Sequence, residues 1–194
     1  MLGLKLATDP RWVNIVEKNI EEILTDHAYC EQKAASNALS IMISYPYHTD
    51  LVDEMVKLAK EELTHFEMVH QKIKERGLTL GFERKDEYVG KLYKFMRKEY
   101  RKEIVLIDRL LFGAMIEARS CERFKLLSEQ INDADLKLFY KELMISEATH
   151  YTLFIGFARK YGSDVEDIDA RWQEWLNFEA ELIKNYSKKE TIHG

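Results

Sequence analysis

The sequence predicts an all-α protein with four long core helices and additional short and C-terminal helices. Three observations predict it. Only two prolines and eight glycines interrupt 194 residues, and the long stretches between them are rich in Glu, Lys, Leu, Ala and Met, which are strong helix formers. Apolar residues recur through those stretches at steps of three and four, the spacing of one buried helix face. No stretch of useful length alternates apolar and polar residues as a half-buried strand does.

Taken in order, a first long helix is expected from about Pro10 to Ser44, with Asp9 as its cap and Pro10 in its first turn. "YPYHTD" breaks the pattern, and Thr49 or Asp50 can cap a second helix that runs to Arg76 and stops at Gly77. "GLTLGFERKD" is a connector, and "EYVGKLYKFMRK" reads as a short helix. A third core helix spans roughly Arg101 to Gln130. "IND" caps a fourth that ends near Gly162. A further helix, "VEDIDARWQEWLNFEAELIKNY", is expected to pack outside the core, and "SKKETIHG" to fray as a polar tail. The expected organisation is one domain over residues 1–194 with a flexible tail at 187–194.

The formal charge of −5 and the pI near 5.8 exclude a globally basic nucleic-acid binder, though not a local basic patch. No run of about eighteen apolar residues predicts a membrane span. The start, "MLGLKLATDPRW", is too short in its apolar part for a secretory signal. Cys30 and Cys121 form no CxxC pair or disulfide pattern, so a reducing cytoplasm is the expected setting.

The apolar stripes carry intruders. In the second helix the stripe runs Leu51, Met55, Leu58, Glu62, His65, Val69, Ile73, and in the fourth it runs Leu136, Tyr140, Leu143, Glu147, His150, Phe154, Phe157. The first helix carries Glu31 between Ala28 and Ala35, and the third carries Glu117 between Ala114 and Cys121. Burying a charge without a partner is costly, so such groups are paired or bound to metal. Four carboxylates and two imidazoles, Glu31, Glu62, His65, Glu117, Glu147 and His150, form a set that two divalent cations would neutralise. One Glu from each of two helices, with Glu-x-x-His from each of the other two, is the di-iron carboxylate arrangement of ferritin-like bundles.

A lone Glu-x-x-His is weak: 23 Glu and six His give about 0.7 such pairs by chance. The sequence has four, and position separates them. Glu67 and His70 share a solvated face with Lys60, Thr64 and Lys74, and Glu190 and His193 lie in the polar tail. The remaining pairs repeat: Glu31 to Glu117 is 86 residues, and Glu62 to Glu147 and His65 to His150 are each 85. Two hairpins with matching donors imply a pseudo-two-fold metal site. The competing reading is a bundle whose buried Glu and His are protonated or ion-paired. Oxygen-rich donors with one imidazole per ion suit iron or manganese, and zinc would also be held.

Small residues beside the donors, Ala28, Ala34, Ala35, Gly113, Ala114 and Ser120, either leave room for oxygen or substrate or allow close helix packing. Cys121, one turn after Glu117, either lines a pocket or influences the metal. Cys30 is expected to face a neighbouring helix. Tyr140 and Phe154 read as core packing rather than as a radical or stacking site.

The segments around the donors, "DHAYCEQKAASNAL", "LAKEELTHFEMVHQKIKERG", "MIEARSCERFKLL" and "SEATHYTLF", resemble the tRNA 2-methylthio-N6-isopentenyladenosine hydroxylases of the MiaE type. The likeness covers about residues 12 to 180, and "CEQKAAS" with "EARSCERF" is its most distinctive part. The resemblance implies a non-haem di-iron monooxygenase that hydroxylates the isopentenyl group of the modified adenosine next to the anticodon. It implies two iron ions, dioxygen as co-substrate and tRNA as partner, and it carries the ligands onto the same six residues. Two electrons must then come from a separate ferredoxin or reductase, because no flavin or NAD fingerprint is present. The oligomeric state is left open.

For gripping tRNA, the sequence offers "KLYKFMRKEYRK" at 91–102, "ERK" at 83–85, and Arg119 and Arg123. A solvated amphipathic helix explains the first stretch equally well. The rival functions are a ferroxidase or another small-molecule hydroxylase on the same metal motif. A rubrerythrin would need a cysteine quartet, and a quinone hydroxylase an apolar docking helix.

Overall fold

The computed structural model describes residues 2–184 and 191–193. Among them are seven α-helices and no strand: α1 (Trp12–Lys18), α2 (Ile20–Ser44), α3 (Thr49–Glu75), α4 (Glu87–Phe95), α5 (Lys102–Gln130), α6 (Ala134–Gly162) and α7 (Ile168–Lys184). No helix among the described residues is long and apolar enough to cross a membrane.

The expected helix from Pro10 to Ser44 is two helices. Asn19 leaves the helical region, with φ −138° and ψ 46°, as suits a side chain that competes for backbone hydrogen bonds. Asp9 serves the turn ahead of α1, its carboxylate accepting from the Arg11 amide at 2.9 Å. The expected caps Thr49 and Asp50 lie inside the first turn of α3, and His48 takes the N-cap position. The α3 stop is as expected. Gly77 adopts φ +66°, its amide bonds Lys74 O at 2.9 Å, and the Leu78 amide bonds Ile73 O at 3.1 Å. This pair of bonds closes a helix end through a left-handed residue, which glycine adopts without strain. Asp86 caps α4 by accepting from the Val89 amide, and Asp133 caps α6 by accepting from Asp135 and Leu136.

The chain gathers into two compact units, one of residues 18–85 with 191–192, the other of residues 2–17, 86–184 and 193. In the first, α2 and α3 pack as a hairpin on Ile23, Leu24, Ala28, Ala35, Ala38 and Ile41 against Leu51, Met55, Leu58, Val69 and Ile73, all buried. The connector after α3 is tied back to α2: the Gly81 amide bonds Thr25 Oγ1 at 3.2 Å, and Tyr29 Oη donates to Gly81 O at 3.0 Å.

In the second unit α5 and α6 form the larger hairpin, with α7 packed against both and α4 against α5. α7, expected outside the core, buries Trp172, Trp175 and Leu176, with Phe95 edge-on to Trp175. Gly162 lets α7 begin close to α6, because a Cβ there would meet Ile168 Cδ1 at 2.1 Å. Two polar nodes brace this unit. The wholly buried Asp108 accepts from Arg171 and Arg97 at 2.7 Å each. The wholly buried Glu179 accepts from Arg119 at 2.6 Å and from the Tyr88 hydroxyl at 3.0 Å.

The tail departs from expectation at residues 191–193. Ile192 and His193 are buried; the Ile192 amide donates to Asp26 Oδ2 at 2.7 Å within the first unit. Within the second, His193 lies between Ser120 Oγ (3.0 Å) and Asp86 Oδ2 (3.2 Å), stacked on Tyr88. These contacts replace the fraying expected of a polar tail. The rest of the expected tail, residues 187–190 and 194, lies outside the described residues.

Candidate metal centre

All six residues singled out from the stripes, Glu31, Glu62, His65, Glu117, Glu147 and His150, are buried. The apolar periodicity around each dictates this: a residue on the same stripe as Leu24 and Ala35, or Leu143 and Phe154, faces the same interior.

In the α2–α3 hairpin, Glu31, Glu62 and His65 offer donor atoms within 4.8 Å of one another. His65 Nδ1 lies 3.3 Å from Glu62 Oε2 and 3.8 Å from Glu31 Oε2. Burial opposes a charge on His65, yet the two carboxylates beside it push its pKa up to about 10. Burial likewise disfavours ionised Glu31, but hydrogen bonds from His27 and His65 hold it well below the usual carboxylate range. This set therefore draws positive charge, the demand that a divalent cation meets. Oxygen donors with one imidazole fit iron or manganese better than thiolate-preferring metals.

In the α5–α6 hairpin, His150 Nδ1 is 3.8 Å from Glu147 Oε1, and Glu117 and His150 offer donor atoms within 4.8 Å of each other. Ser146 Oγ sits 3.4 Å from His150 Nε2. Each hairpin thus brings its own Glu, Glu-x-x-His donors to one buried face.

Gly113 serves close packing, since a Cβ there would meet the Phe154 ring at 2.9 Å. Ser120 is hydrogen-bonded to His193. Cys121 donates to Met144 O at 3.2 Å; burial and then Glu117 push its pKa up to about 11, so it stays a thiol. Cys30 Sγ lies 3.9 Å from Asp26 Oδ2 on its own helix. Tyr140 packs on Phe124 with ring centroids 5.3 Å apart. Of the other Glu-x-x-His pairs, Glu67 is solvated as expected, whereas His193 is buried, bonded to Ser120 and Asp86.

One residue was missed. His27 is wholly buried, with Nε2 2.6 Å from Glu31 Oε1. It precedes its glutamate by four residues on the same face, a spacing that a search for Glu-x-x-His passes over.

Several basic residues are not available to phosphates. Arg119 is wholly buried, bonded to Glu179, Glu122 and Leu6 O. Arg123 is buried against the Trp12 ring at 4.6 Å. Arg97 is fastened to Asp108 and Glu166. In the 83–85 stretch, Glu83 pairs with Lys33 and Arg84 with Glu22. Lys91, Lys94, Lys98, Arg101 and Lys102 remain exposed, beside exposed Tyr93 and Tyr100, and Lys98 Nζ sits over the Tyr93 ring at 3.6 Å.

A solved structure described as protein 43 with aldehyde deformylating oxygenase activity, from Synechococcus, superposes with a TM-score of 0.89 at 31% identity, covering 98% of this chain and 95% of that one. The fold class is accordingly ferritin-like and all-α. A tRNA 2-(methylsulfanyl)-N(6)-isopentenyladenosine(37) hydroxylase of Pseudomonas putida is 40% identical over 192 residues, 98% of this chain and 91% of the relative. One from Salmonella typhimurium is 30% identical over 224 residues, 91% of this chain and 81% of the relative. The family model tRNA-(MS[2]IO[6]A)-hydroxylase (MiaE) matches residues 2–194. With relatives at these identities and a match along nearly its whole length, the chain belongs to the MiaE family of tRNA hydroxylases.

Proposed function

We propose that the chain hydroxylates the isopentenyl group of 2-methylthio-N6-isopentenyladenosine next to the anticodon of tRNA. The observation that carries this reading is the repeated Glu, Glu-x-x-His set, buried on each of two hairpins, in a chain 40% identical to a hydroxylase of that nucleoside. A ferroxidase explains the donors but not that likeness.

In this reading Glu31, Glu62, His65, Glu117, Glu147 and His150 are the ligands of a two-iron centre. The iron pair supplies the activation of dioxygen that inserting oxygen into a C–H bond requires. The reaction balances when substrate, dioxygen, two electrons and two protons give the alcohol and water. The electrons come from an external ferredoxin or reductase, since the sequence has no fingerprint for flavin or NAD. The chain's own work is to fix the donors, to keep stray water from them with the apolar stripes that flank each set, and to hold the tRNA. Lys94, Lys98 and Arg101, with Tyr93 and Tyr100, have the charge and the exposed rings for phosphate contact and base stacking. A tRNA substrate and two cysteines outside any disulfide suit a reducing cytoplasm.

The test is reconstitution. Iron-loaded protein, dioxygen, a reductant and tRNA bearing the methylthio-isopentenyl nucleoside should yield that nucleoside with one added oxygen. Iron-loaded protein that turns over ferrous iron but never oxygenates the nucleoside would instead support the ferroxidase.

A further inference from the structure

The 86-residue offset that aligns Glu31 with Glu117 also aligns His27 with Gly113, and here the repeat fails. In the α2–α3 hairpin the slot one turn before the glutamate holds a wholly buried imidazole, 2.6 Å from Glu31 Oε1. The two oxygens of Glu31 are thereby divided: Oε1 faces His27, and Oε2 faces His65 at 3.8 Å. In the α5–α6 hairpin the same slot is a glycine. The Phe154 ring occupies the space, so close that a Cβ would meet it at 2.9 Å. No hydrogen bond or ion pair to the Glu117 side chain occurs among the described residues.

We propose that the two donor sets are inequivalent: His27 is a positioning residue that holds Glu31 ready for a cation, so the α2–α3 set takes the first divalent ion and the α5–α6 set takes the second. The inference rests on the reading that both sets are metal ligands. Its physical basis is preorganisation. A carboxylate that must be ordered when a metal arrives loses rotamer freedom at that moment, whereas one already fixed by a buried hydrogen bond does not. Partners of this kind behind a metal ligand typically change metal affinity by roughly 10–100-fold. The hydrogen bond on Oε1 also leaves Oε2 as the oxygen presented towards His65, which limits how Glu31 can bind. No comparable hydrogen bond fixes Glu117 among the described residues.

Charge alone would make a second cation bind more weakly than a first, so the test turns on substitutions. Metal-free full-length protein would be titrated anaerobically with Co(II), following visible absorption, with stoichiometry from equilibrium dialysis. The expected result is two ions bound in two steps. His27→Ala should weaken the first step by roughly 10–100-fold, and His27→Gln, whose amide can donate to Glu31, should recover much of the loss. Glu117→Ala should keep one tight ion, while Glu31→Ala should lose the tight step. Unchanged constants in His27→Ala, or equal damage to the first step from Glu31→Ala and Glu117→Ala, would overturn the inequivalence while leaving the ligand reading intact. No Co(II) bound at either step would overturn the ligand reading and the proposal with it. If His27→Ala fails to fold, as thermal melts of the metal-free protein would show, His27→Gln decides: a wild-type first step supports a hydrogen-bonding role, and loss of that step overturns it.

Discussion

Asp108 is wholly buried, and two guanidinium groups provide its hydrogen bonds. Burial pushes its pKa up, but hydrogen bonds from Arg171 and then Arg97 reverse the shift and leave it below the usual carboxylate value. A lowered folded pKa means the carboxylate adds stability above its unfolded pKa of about 3.9, and that this contribution is lost as pH falls further, through the folded value. Asp108→Asn should therefore cost about 1–3 kcal/mol at neutral pH, because Arg97 and Arg171 each lose one of two carboxylate partners while Glu166 and Glu174 remain. Urea titrations at several pH values should show the gap to wild type shrinking below about pH 4. Gly113 poses the opposite problem, of space rather than charge. Gly113→Ala should cost about 1–3 kcal/mol in urea unfolding, because the Phe154 ring must move. At this scale the burial of the six Glu and His residues was legible, since each interrupts an apolar stripe that has to be buried. His27 was not: it shares the face of Leu24 and Glu31, but its spacing of four residues before the glutamate is one that a Glu-x-x-His pattern passes over. Nor were Arg119 and Arg97, whose acidic partners are up to 69 residues away.

At the scale of elements, propensity and punctuation gave the helices, and their ends failed where the deciding contact is distant or weak. Gly77 stops α3 through its own backbone, so that end could be read locally. Asn19 breaks α1 from α2 without any proline or glycine to announce it. The tail misled for another reason. Thr191, Ile192 and His193 follow "SKKE", whose composition reads as solvated, but Ile192 and His193 are buried by partners distant in sequence. Those contacts predict a stabilising role. His193→Ala leaves Ser120 and Asp86 without the imidazole between them and should cost about 1–3 kcal/mol, measured as a fall in unfolding midpoint. A change within experimental error would mean that the docking is incidental.

At the scale of the whole molecule the net charge is −5, so any grip on tRNA must be local. In the proposed reading the exposed cations of residues 91–102, without Arg97, are that local footprint. Reversing Lys94, Lys98 and Arg101 to Glu should weaken tRNA binding and lower its salt dependence, by a slope change of roughly two to three. Unchanged affinity across a salt series would remove that surface from the account. Arg97→Glu is expected to behave differently, unfolding at lower urea because it opposes Asp108 and Glu166.

The central claim is that two buried Glu, Glu-x-x-His sets serve oxygen insertion into a tRNA nucleoside. Its most direct test is nucleoside mass spectrometry on tRNA from a host that stops at the methylthio-isopentenyl stage, expressing either this chain or its Glu62→Ala/Glu147→Ala variant. The account predicts one added oxygen on that nucleoside with the wild-type chain and none with the variant. The same unhydroxylated nucleoside from both, with iron-loaded folded protein and a supplied reductant, would contradict it.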